Sequence, residues 1–185
     1  MRFDVVIIGG GPAGTGIGLE LQRSGLDCLV VSEGLGLEES PRREFVEAGG
    51  TLLPGDSVLG GTISEGKVTC VATRNLKGTP IEASCYVLAT GRFFSKGLIS
   101  TMDGIFEPVF GCDVLYDRDS TNWTNPDFYA PQPFEDFGVV TDDQGRVSIG
   151  GRTISNLFAA GEVLAGKIGM QTGIERVVNA VLGRK

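Results

Sequence analysis

The sequence predicts an α/β fold with a central parallel sheet and a small antiparallel β unit, and three observations support this prediction. An apolar, β-branched run at residues 4–8 is typical of a parallel strand covered on both faces. A glycine-rich turn, a helical pattern and a second apolar run at residues 27–31 follow it directly. Short strand-like runs separated by glycine turns then occupy much of the stretch between residues 51 and 89.

The glycine-rich turn has the spacing of a phosphate-binding loop between a strand and a helix. Gly9 permits the tight turn, Gly11 lets the backbone approach a pyrophosphate, and Gly14 lets the helix pack closely on the strand. This pattern predicts a nucleotide site. The alternative is a glycine-rich turn that holds no ligand.

The helix after this turn is expected at residues 12–24, with Pro12 and Ala13 in its first turn and Gly25 as its stop. At its N-terminus, unpaired amide groups and the positive end of the helix dipole favour an anion without any basic side chain. We therefore expect phosphates to bind there, with Pro12 and Ala13 among the contacts.

The position that usually binds an adenine ribose departs from the common pattern. A carboxylate is expected there, about 20 residues after the glycines. Ser32 occupies that register, and Glu33 follows it. Ser32 can donate a hydrogen bond to a ribose hydroxyl but cannot form the charge-assisted pair of a carboxylate. We therefore expect a weaker ribose contact at Ser32 and Glu33.

Composition limits the classes of function. The 185 residues are 41% hydrophobic and 21% charged, as in a globular domain, and the formal net charge is −7. An acidic chain of this kind argues against nucleic acid and anionic lipid as partners, since both call for basic patches. No apolar run approaches the roughly 18 residues of a membrane span, and the N-terminal run lacks the form of a signal peptide. We therefore expect a cytoplasmic protein that meets a membrane only through a partner.

Cysteine and histidine usage bears on catalysis and metals. Four cysteines are far apart, without a C-x-x-C pair, so buried free thiols are favoured over disulfides, metal ligands or cluster ligands. Histidine is absent, which removes the commonest general base and the commonest metal ligand. Any proton abstraction would fall to a carboxylate, Lys, Tyr or water. The sequence predicts no metal site and assigns no catalytic residue.

A short polar connection at residues 34–40 leads to a helix expected at residues 41–48, with Ser40 as its N-cap. Arg42 and Arg43 on this helix could contact a 2′-phosphate, but solvated positions are favoured. Strands are then expected at residues 51–53, 56–64, 67–74 and 81–89, and they define an antiparallel unit over residues 51–85 whose last strand returns to the main sheet. Val58, in the second of these strands, is a further cofactor-binding candidate.

Two later motifs also end apolar strands. One strand closes on Ala-Thr-Gly, which makes Thr90, Gly91 and the following Arg92 candidates for close contact with a ligand. The other closes on Gly161 and Glu162, where a carboxylate could accept hydrogen bonds from hydroxyl groups or cap a turn. A final helix is expected from Thr172 or Gly173 to residue 182. Its N-terminus would stabilise negative charge on a ligand.

The stretch at residues 92–137 is rich in aromatic residues and proline and has little periodicity. We expect loops pinned by aromatic packing over the sheet; a wall for a ligand ring or a docking face is the alternative.

The glycine-rich turn, the Ala-Thr-Gly strand end and the strand end at Gly161 and Glu162 follow one another along the chain. In this order of motifs the chain resembles flavin-binding oxidoreductases of the glutathione-reductase-like superfamily. This resemblance implies a Rossmann-like FAD/NAD(P)-binding domain over residues 1–185, in which Glu162 hydrogen-bonds the ribityl chain of FAD. More specific segments resemble the B subunits of anaerobic glycerol-3-phosphate dehydrogenase: residues 1–4, 53–56, 87–95, 111–114, 130–134 and 156–159. Of these, Ala-Thr-Gly-Arg-Phe-Phe-Ser is the most specific.

That family implies a flavin-binding electron-transfer subunit. Its members partner an A-type catalytic flavoprotein and a membrane-associated iron–sulfur C-type subunit, and they pass electrons from glycerol 3-phosphate towards quinone. FMN is the usual cofactor given for the family, whereas the glycine fingerprint here favours FAD. The resemblance thus places the protein at the inner face of the cytoplasmic membrane through its partners; self-association is the other possibility.

The chain departs from the family after Gly34, where most of a substrate-side domain is missing. Oxidation of an alcohol needs a positioned base and a site that excludes water. We therefore do not expect this chain to oxidise an alcohol on its own. Two alternatives stay open beside the electron-transfer subunit: a non-catalytic FAD-binding module, and NAD binding without flavin.

Overall fold

A computed structural model describes residues 1–34, 40–166 and 168–184, and a six-stranded sheet organises it. The helices are α1 (Pro12–Arg23), α2 (Ser40–Glu47) and α3 (Met170–Val181). The strands are β1 (Arg2–Ile8), β2 (Cys28–Ser32), β3 (Thr51–Pro54), β4 (Val58–Ser64), β5 (Lys67–Thr73), β6 (Glu82–Leu88), β7 (Ile99–Thr101), β8 (Gly104–Phe106), β9 (Val114–Leu115), β10 (Gly138–Val139), β11 (Arg146–Ile149) and β12 (Arg152–Ala159).

The main sheet has the strand order β11-β12-β6-β1-β2-β3. Its five strands from β12 to β3 run parallel, and only β11 pairs antiparallel, with β12. This confirms the predicted α/β fold with a central parallel sheet. Parallel neighbours need long crossover connections, which α1 supplies between β1 and β2.

Both faces of the sheet are covered, as the continuous apolar run of β1 predicted. Val5 and Ile7 pack with α1 and α3 in one buried cluster, which includes Ile17 of α1 and Val177 of α3. The alternate side chains of β1 face the second cluster, together with Tyr86 and residues of the antiparallel strands. Because successive side chains of a strand point to opposite faces, one short run supports two cores.

The antiparallel unit is smaller than expected. β3 pairs parallel with β2, from Leu29 opposite Thr51 to Ser32 opposite Pro54, so residues 51–54 belong to the main sheet. The antiparallel part is the β4–β5 hairpin with a bridge between Val71 and Ile81. The prediction for residues 51–53 was wrong because α2 forms a crossover of its own, and strand pairing is not visible in a three-residue apolar run.

Helix α2 begins at Ser40, one residue before the expected start, and the expected connection at residues 34–40 lies mostly outside the described residues. Assignment of residues 1–185 to a single domain stays a prediction. No helix in the described part of the chain is long and apolar enough to cross a membrane.

The aromatic stretch forms short strands, 3-10 turns and loops against the main sheet. Tyr116, Trp123 and Phe137 contact one another edge to face, and Phe93 meets Phe134 in the same way at 6.2 Å between ring centroids. These rings pack against the buried cluster, as the covering role requires. The side chains of four further aromatics are exposed: Phe94, Phe106, Phe128 and Tyr129.

Candidate functional site

The three sequence motifs meet at one edge of the parallel sheet. Ile8 of β1 lies opposite Leu88 of β6, which in turn lies opposite Ala159 of β12. Because these strands end in register, the segments that follow them are neighbours, as ligand sites of open α/β sheets require. A cavity of about 1140 Å³ opens there.

Nearly all of the predicted site residues line this cavity. They are Gly9, Gly11, Pro12, Ala13, Ser32, Glu33, Val58, Thr90, Gly91, Arg92, Gly161 and Glu162. Gly14 and Gly173 lie behind the lining. A side chain on Gly14 would collide with the Gly9 carbonyl oxygen, and a Cβ on Gly173 would lie 3.7 Å from the Gly161 nitrogen. Gly14 therefore allows close packing behind the cavity, whereas a Cβ at Gly173 would fit in ordinary van der Waals contact.

The glycine turn forms a cradle that side chains would fill. Gly9 has a φ of +115°, and a Cβ there would overlap the carbonyl of Ala89 on the neighbouring segment. Gly11 differs, since its φ is −78° and a Cβ there would have no atom within 4 Å. The space in front of Gly11 is therefore cavity, as an approaching pyrophosphate needs.

The N-terminus of α1 opens into the same space. Gly11 is its N-cap and supplies no side-chain cap, and no acidic residue lies in the first turn. The amides of the first turn have no partner within a helix, so they and the dipole offer a site for an anion. Phosphate oxygens fit this donor set.

Ser32 and Glu33 lie beside the glycine turn. Ser32 is buried and so close to Gly10 that a Cβ on Gly10 would lie 2.5 Å from its Oγ. The Arg42 Nε donates to the Gly10 carbonyl at 2.8 Å, and Arg42 lines the cavity. A solvated position was therefore wrong for Arg42. It holds for Arg43, which is exposed and pairs with Glu47.

Asp56 is a lining residue that the motifs did not single out. Its amide donates to the Ser32 carbonyl at 3.1 Å, and its Oδ1 accepts from the amides of Ser57 and Asn75 at 2.8 and 3.0 Å. Burial alone would raise the pKa of this carboxyl, but the Thr73 hydroxyl and nearby amides outweigh it and lower the pKa. Its place two residues after the end of β3 was the available signal.

Two hydroxyl groups next to the cavity lack protein partners. In the described part of the chain, the Oγ of Ser57 and the Oγ1 of Thr90 are the buried side-chain polar atoms without a hydrogen bond. Both residues line the cavity. Since buried polar groups are nearly always bonded, this pattern fits a site that is completed by a polar ligand.

Glu162 and helix α3 lie at the β12 side of the cavity, whereas Ser32 and Glu33 lie at the β2 side. Gly161, with a φ of +80°, turns the chain after β12, and Glu162 is exposed within the following 3-10 turn. Arg92 donates to the backbone carbonyls of Glu162 and Leu164, at 2.8 and 3.2 Å. Helix α3 starts at Met170, which also lines the cavity, and Gly169 caps it without a side chain.

A further wall comes from the aromatic-rich stretch, which the sequence did not resolve into individual residues. Ser95, Lys96, Ile99, Pro108, Val109 and Glu135 contribute to it. The loop at Pro108 is anchored by the buried carboxylate of Glu107, which accepts the amides of Val109 and Phe110 at 2.7 and 2.8 Å. The anchoring contacts of Glu107 are local, but the wall meets the glycine turn from a distant part of the chain, so no local pattern could place it at the cavity.

The four cysteines are free thiols, as expected. Cys28 and Cys112 are buried, whereas Cys70 and Cys85 are half-buried. Burial raises the pKa of Cys28 to about 12 and also raises the pKa of Cys85 and of Cys112. None of these three is poised as a nucleophile, because the thiolate is the reactive form.

Comparison with known proteins agrees with this geometry. Residues 34–174 match one family described as FAD binding domain, and residues 2–49 match another with the same description. The B subunit of anaerobic glycerol-3-phosphate dehydrogenase from Vibrio cholerae serotype O1 is 42% identical over 135 residues, which are 72% of this chain and 31% of the relative. The Yersinia pestis protein of the same name is 39% identical over 140 residues, covering 76% of this chain and 33% of that one.

The chain thus spans about a third of the length of the curated relatives it matches. Two solved structures resemble this chain at low sequence identity, and they support its fold but not its function. An oxidoreductase from Agrobacterium tumefaciens has a TM-score of 0.59 at 15% identity, covering 99% of this chain and 98% of its own. A thioredoxin reductase from Gloeobacter violaceus has a TM-score of 0.57 at 14% identity, covering 98% and 93%. The chain belongs to the FAD-binding domain family and is related to the B subunits of anaerobic glycerol-3-phosphate dehydrogenase.

Proposed function

We propose that this chain holds FAD in the cavity and serves as an electron-transfer subunit of an anaerobic glycerol-3-phosphate dehydrogenase-like complex. One observation carries the proposal: a single cavity runs from Ser32 and Glu33, past the N-terminus of α1, to Gly161 and Glu162. An extended dinucleotide needs such a sequence of ribose, phosphate and ribityl contacts along one crevice.

The size and the donor set of the cavity favour FAD over FMN. Its volume of about 1140 Å³ exceeds the roughly 300–1,000 Å³ of ordinary ligand pockets. Gly11 and the first turn of α1 suit a pyrophosphate, which FMN lacks. Ser32 and Glu33 would hold the adenosine ribose, and Val58 would lie at the adenosine end.

FAD, when bound, supplies the redox chemistry, and the residues of the chain bind and orient it. Glu162 would accept hydrogen bonds from ribityl hydroxyls, since it is exposed and lines the cavity. The N-terminus of α3 would stabilise negative charge at the same end, through its dipole. Thr90 and Gly91 would contact the ligand from the end of β6.

Partner subunits would supply what the chain itself lacks. It contains no histidine and spans about a third of its relatives, which are named as B subunits of a dehydrogenase. We propose that an A-type flavoprotein subunit provides the base and the missing wall, and that a C-type subunit connects the complex to the cytoplasmic membrane and its quinones.

The second candidate is an FAD-binding module without turnover of its own. The same absence of histidine favours it, because dehydrogenation of an alcohol needs a positioned base. The two candidates differ in whether reduced cofactor passes its electrons on.

The test starts from the purified chain and its visible spectrum. We expect a yellow protein, or uptake of added FAD, with FAD identified by the mass of the released cofactor. Photoreduction followed by reoxidation with a soluble quinone analogue supports electron transfer, whereas bound FAD that the quinone does not reoxidise favours the module without turnover. A colourless chain that takes up no FAD overturns the proposal.

A variant of Glu162 tests whether the cavity binds a flavin or NAD. Substitution Glu162→Ala should weaken FAD binding, because the ribityl hydroxyls lose their acceptor. If NAD binds instead of flavin, this variant should keep the affinity of the native chain for its ligand.

A further inference from the structure

The two strands that carry the later motifs separate where the cavity begins. β6 and β12 pair up to Leu88 and Ala159, and the last backbone bond between these segments runs from the Ala160 amide to the Leu88 carbonyl, at 3.0 Å. Beyond this bond, each of the two segments turns at a glycine in the left-handed region of backbone conformation. These glycines are Gly91, with φ +72°, and Gly161, with φ +80°. Sheet hydrogen bonds therefore cannot hold the two motifs together past this point.

Beyond this point, the side chain of Arg92 connects the segment after β6 to the segment after β12. Its Nε donates to the Glu162 carbonyl at 2.8 Å, and its Nη2 donates to the Leu164 carbonyl at 3.2 Å. The backbone of Arg92 is itself anchored, because its carbonyl accepts from the amides of Gly97 and Leu98 at 2.9 and 3.3 Å. The guanidinium therefore binds two carbonyl oxygens of the segment that contains Glu162, from a backbone that is itself held in place. We call this pair of hydrogen bonds the Arg92 clamp.

The opposite side of the same segment is held by backbone bonds. The Ala165 amide donates to Val139 at 3.0 Å, and the Gly166 amide donates to Asp136 at 2.9 Å. Gly138 packs so closely that a Cβ there would overlap the carbonyl of Leu164. The half of the segment that contains Glu162 also contacts β10, which forms an isolated bridge between Val139 and Leu164. On the side of β6, Arg92 adds its two hydrogen bonds to this half of the segment.

The clamp leaves the carboxylate of Glu162 available. Within the described residues, Arg92 forms no ion pair with Glu162, and its side-chain hydrogen bonds go to carbonyl oxygens. An arginine that bound the carboxylate would compete with a ligand hydroxyl for the same oxygens. Here the positive charge orients the backbone of Glu162 and leaves its side chain as an acceptor.

We propose that Arg92 is a positioning residue, which holds the Gly161–Glu162 turn so that the Glu162 carboxylate meets the flavin side chain. This inference rests on the proposed function. It replaces direct cofactor contact as the role of Arg92, which the sequence had placed among the cofactor-binding residues.

The test is a double-mutant cycle between Arg92→Met and Glu162→Ala, read as the dissociation constant for FAD. Methionine keeps much of the length of the side chain but removes both donors. We expect Arg92→Met to weaken binding by about 10- to 100-fold, the contribution of one hydrogen bond that involves a charged group. If Arg92 acts through Glu162, Arg92→Met should weaken binding by less than about threefold in the Glu162→Ala background, since the coupling is non-additive.

A second readout does not need the cofactor. In the ligand-free chain, Arg92→Met should speed amide hydrogen exchange at residues 161–164, and Arg92→Lys should restore part of the protection. Arg152→Met is the matched control, because Arg152 is exposed on β12 and lies outside the cavity lining. This control should change neither exchange at residues 161–164 nor affinity for FAD.

The outcomes separate the inference from the proposed function. Native chain that takes up no FAD overturns both. Native chain that binds FAD while Arg92→Met binds equally well, or loses affinity additively with Glu162→Ala, overturns the role of Arg92 and leaves the proposed function standing. Unchanged exchange at residues 161–164 likewise overturns the clamp.

Discussion

Substitution Gly11→Val separates cofactor binding from folding more cleanly than other changes in the glycine turn. Gly11 has φ −78° and ψ −176°, which any residue adopts, and a Cβ would meet no atom within 4 Å. As an N-cap, valine is worse than glycine by about 0.5–1 kcal/mol. Replacing glycine also restricts the unfolded chain, which returns about 0.4–1 kcal/mol. We therefore expect the free energy of unfolding to change by less than about 1 kcal/mol.

Binding should respond far more strongly. The valine methyl groups would occupy the space in front of the first turn of α1, where the pyrophosphate is proposed to lie. Each charge-assisted hydrogen bond lost there costs about 1.5–3 kcal/mol. Loss of one such bond predicts about 10- to 100-fold weaker binding of FAD, and loss of two predicts at least about 100-fold weaker binding.

The assay pairs an FAD titration, followed by flavin fluorescence, with urea unfolding of the ligand-free chain. Gly60→Val is the matched control, since Gly60 lies in β4 outside the cavity lining and a Cβ there would have its nearest neighbour, the Val109 carbonyl oxygen, at 3.6 Å. Gly14→Ala should instead destabilise the fold, because its methyl group would overlap the Gly9 carbonyl. Native-like FAD affinity in Gly11→Val would refute the phosphate site.

Four further predictions concern stability and thiol chemistry. Tyr86→Phe should lower the free energy of unfolding in urea by about 1–3 kcal/mol, because the buried Tyr86 hydroxyl accepts from the Ala83 amide at 2.7 Å and donates to the Thr69 carbonyl at 3.0 Å; an unchanged midpoint would contradict this. Glu107→Gln should cost a similar amount, since one amide oxygen replaces two carboxylate oxygens that accept four backbone amides, and native-like stability would show that these bonds contribute nothing. At pH 8 a thiol reagent should label half-buried Cys70 before buried Cys28 in the folded chain and label all four cysteines in urea; equal rates for Cys28 and Cys70 would be inconsistent with the structure. Because burial, with the nearby carboxylates of Asp27 and Asp4, raises the pKa of Cys28 from 9.0 to about 12, its contribution to stability is present below pH 9 and lost as pH rises towards 12. Cys28→Ala should therefore flatten the fall of the urea midpoint over that range.

Local patterns predicted the part of the site that one segment builds. The apolar run of β1, the glycine spacing and the start of α1 lie next to one another in the chain, and each has a preference that short sequence reveals. Gly9, Gly11 and Gly14 therefore took their predicted places. The register of the strand ends followed from the parallel sheet, so Thr90 and Glu162 also lie at the cavity.

Predictions were wrong where pairing or side-chain reach decided the outcome. Residues 51–54 joined the main sheet because the edge of β2 was available to them. Arg42 donates to the Gly10 carbonyl, although a solvated position on its helix was favoured over a ligand contact. Asp56 was missed because its partners, Ser57 and Asn75, are brought together by the β4–β5 hairpin.

By itself, the sequence determined the fold class, the glycine cradle and the order of the motifs, because these depend on periodicity and on backbone freedom within a few residues. Only the tertiary structure decided which groups surround the cradle and what they bond. Arg92 shows the difference: next to an Ala-Thr-Gly motif it suggested a cofactor contact, yet in the fold its guanidinium bonds to Glu162 and Leu164. Hydrogen bonds between residues 70 or more positions apart depend on how the strands are arranged in space, which no local pattern encodes.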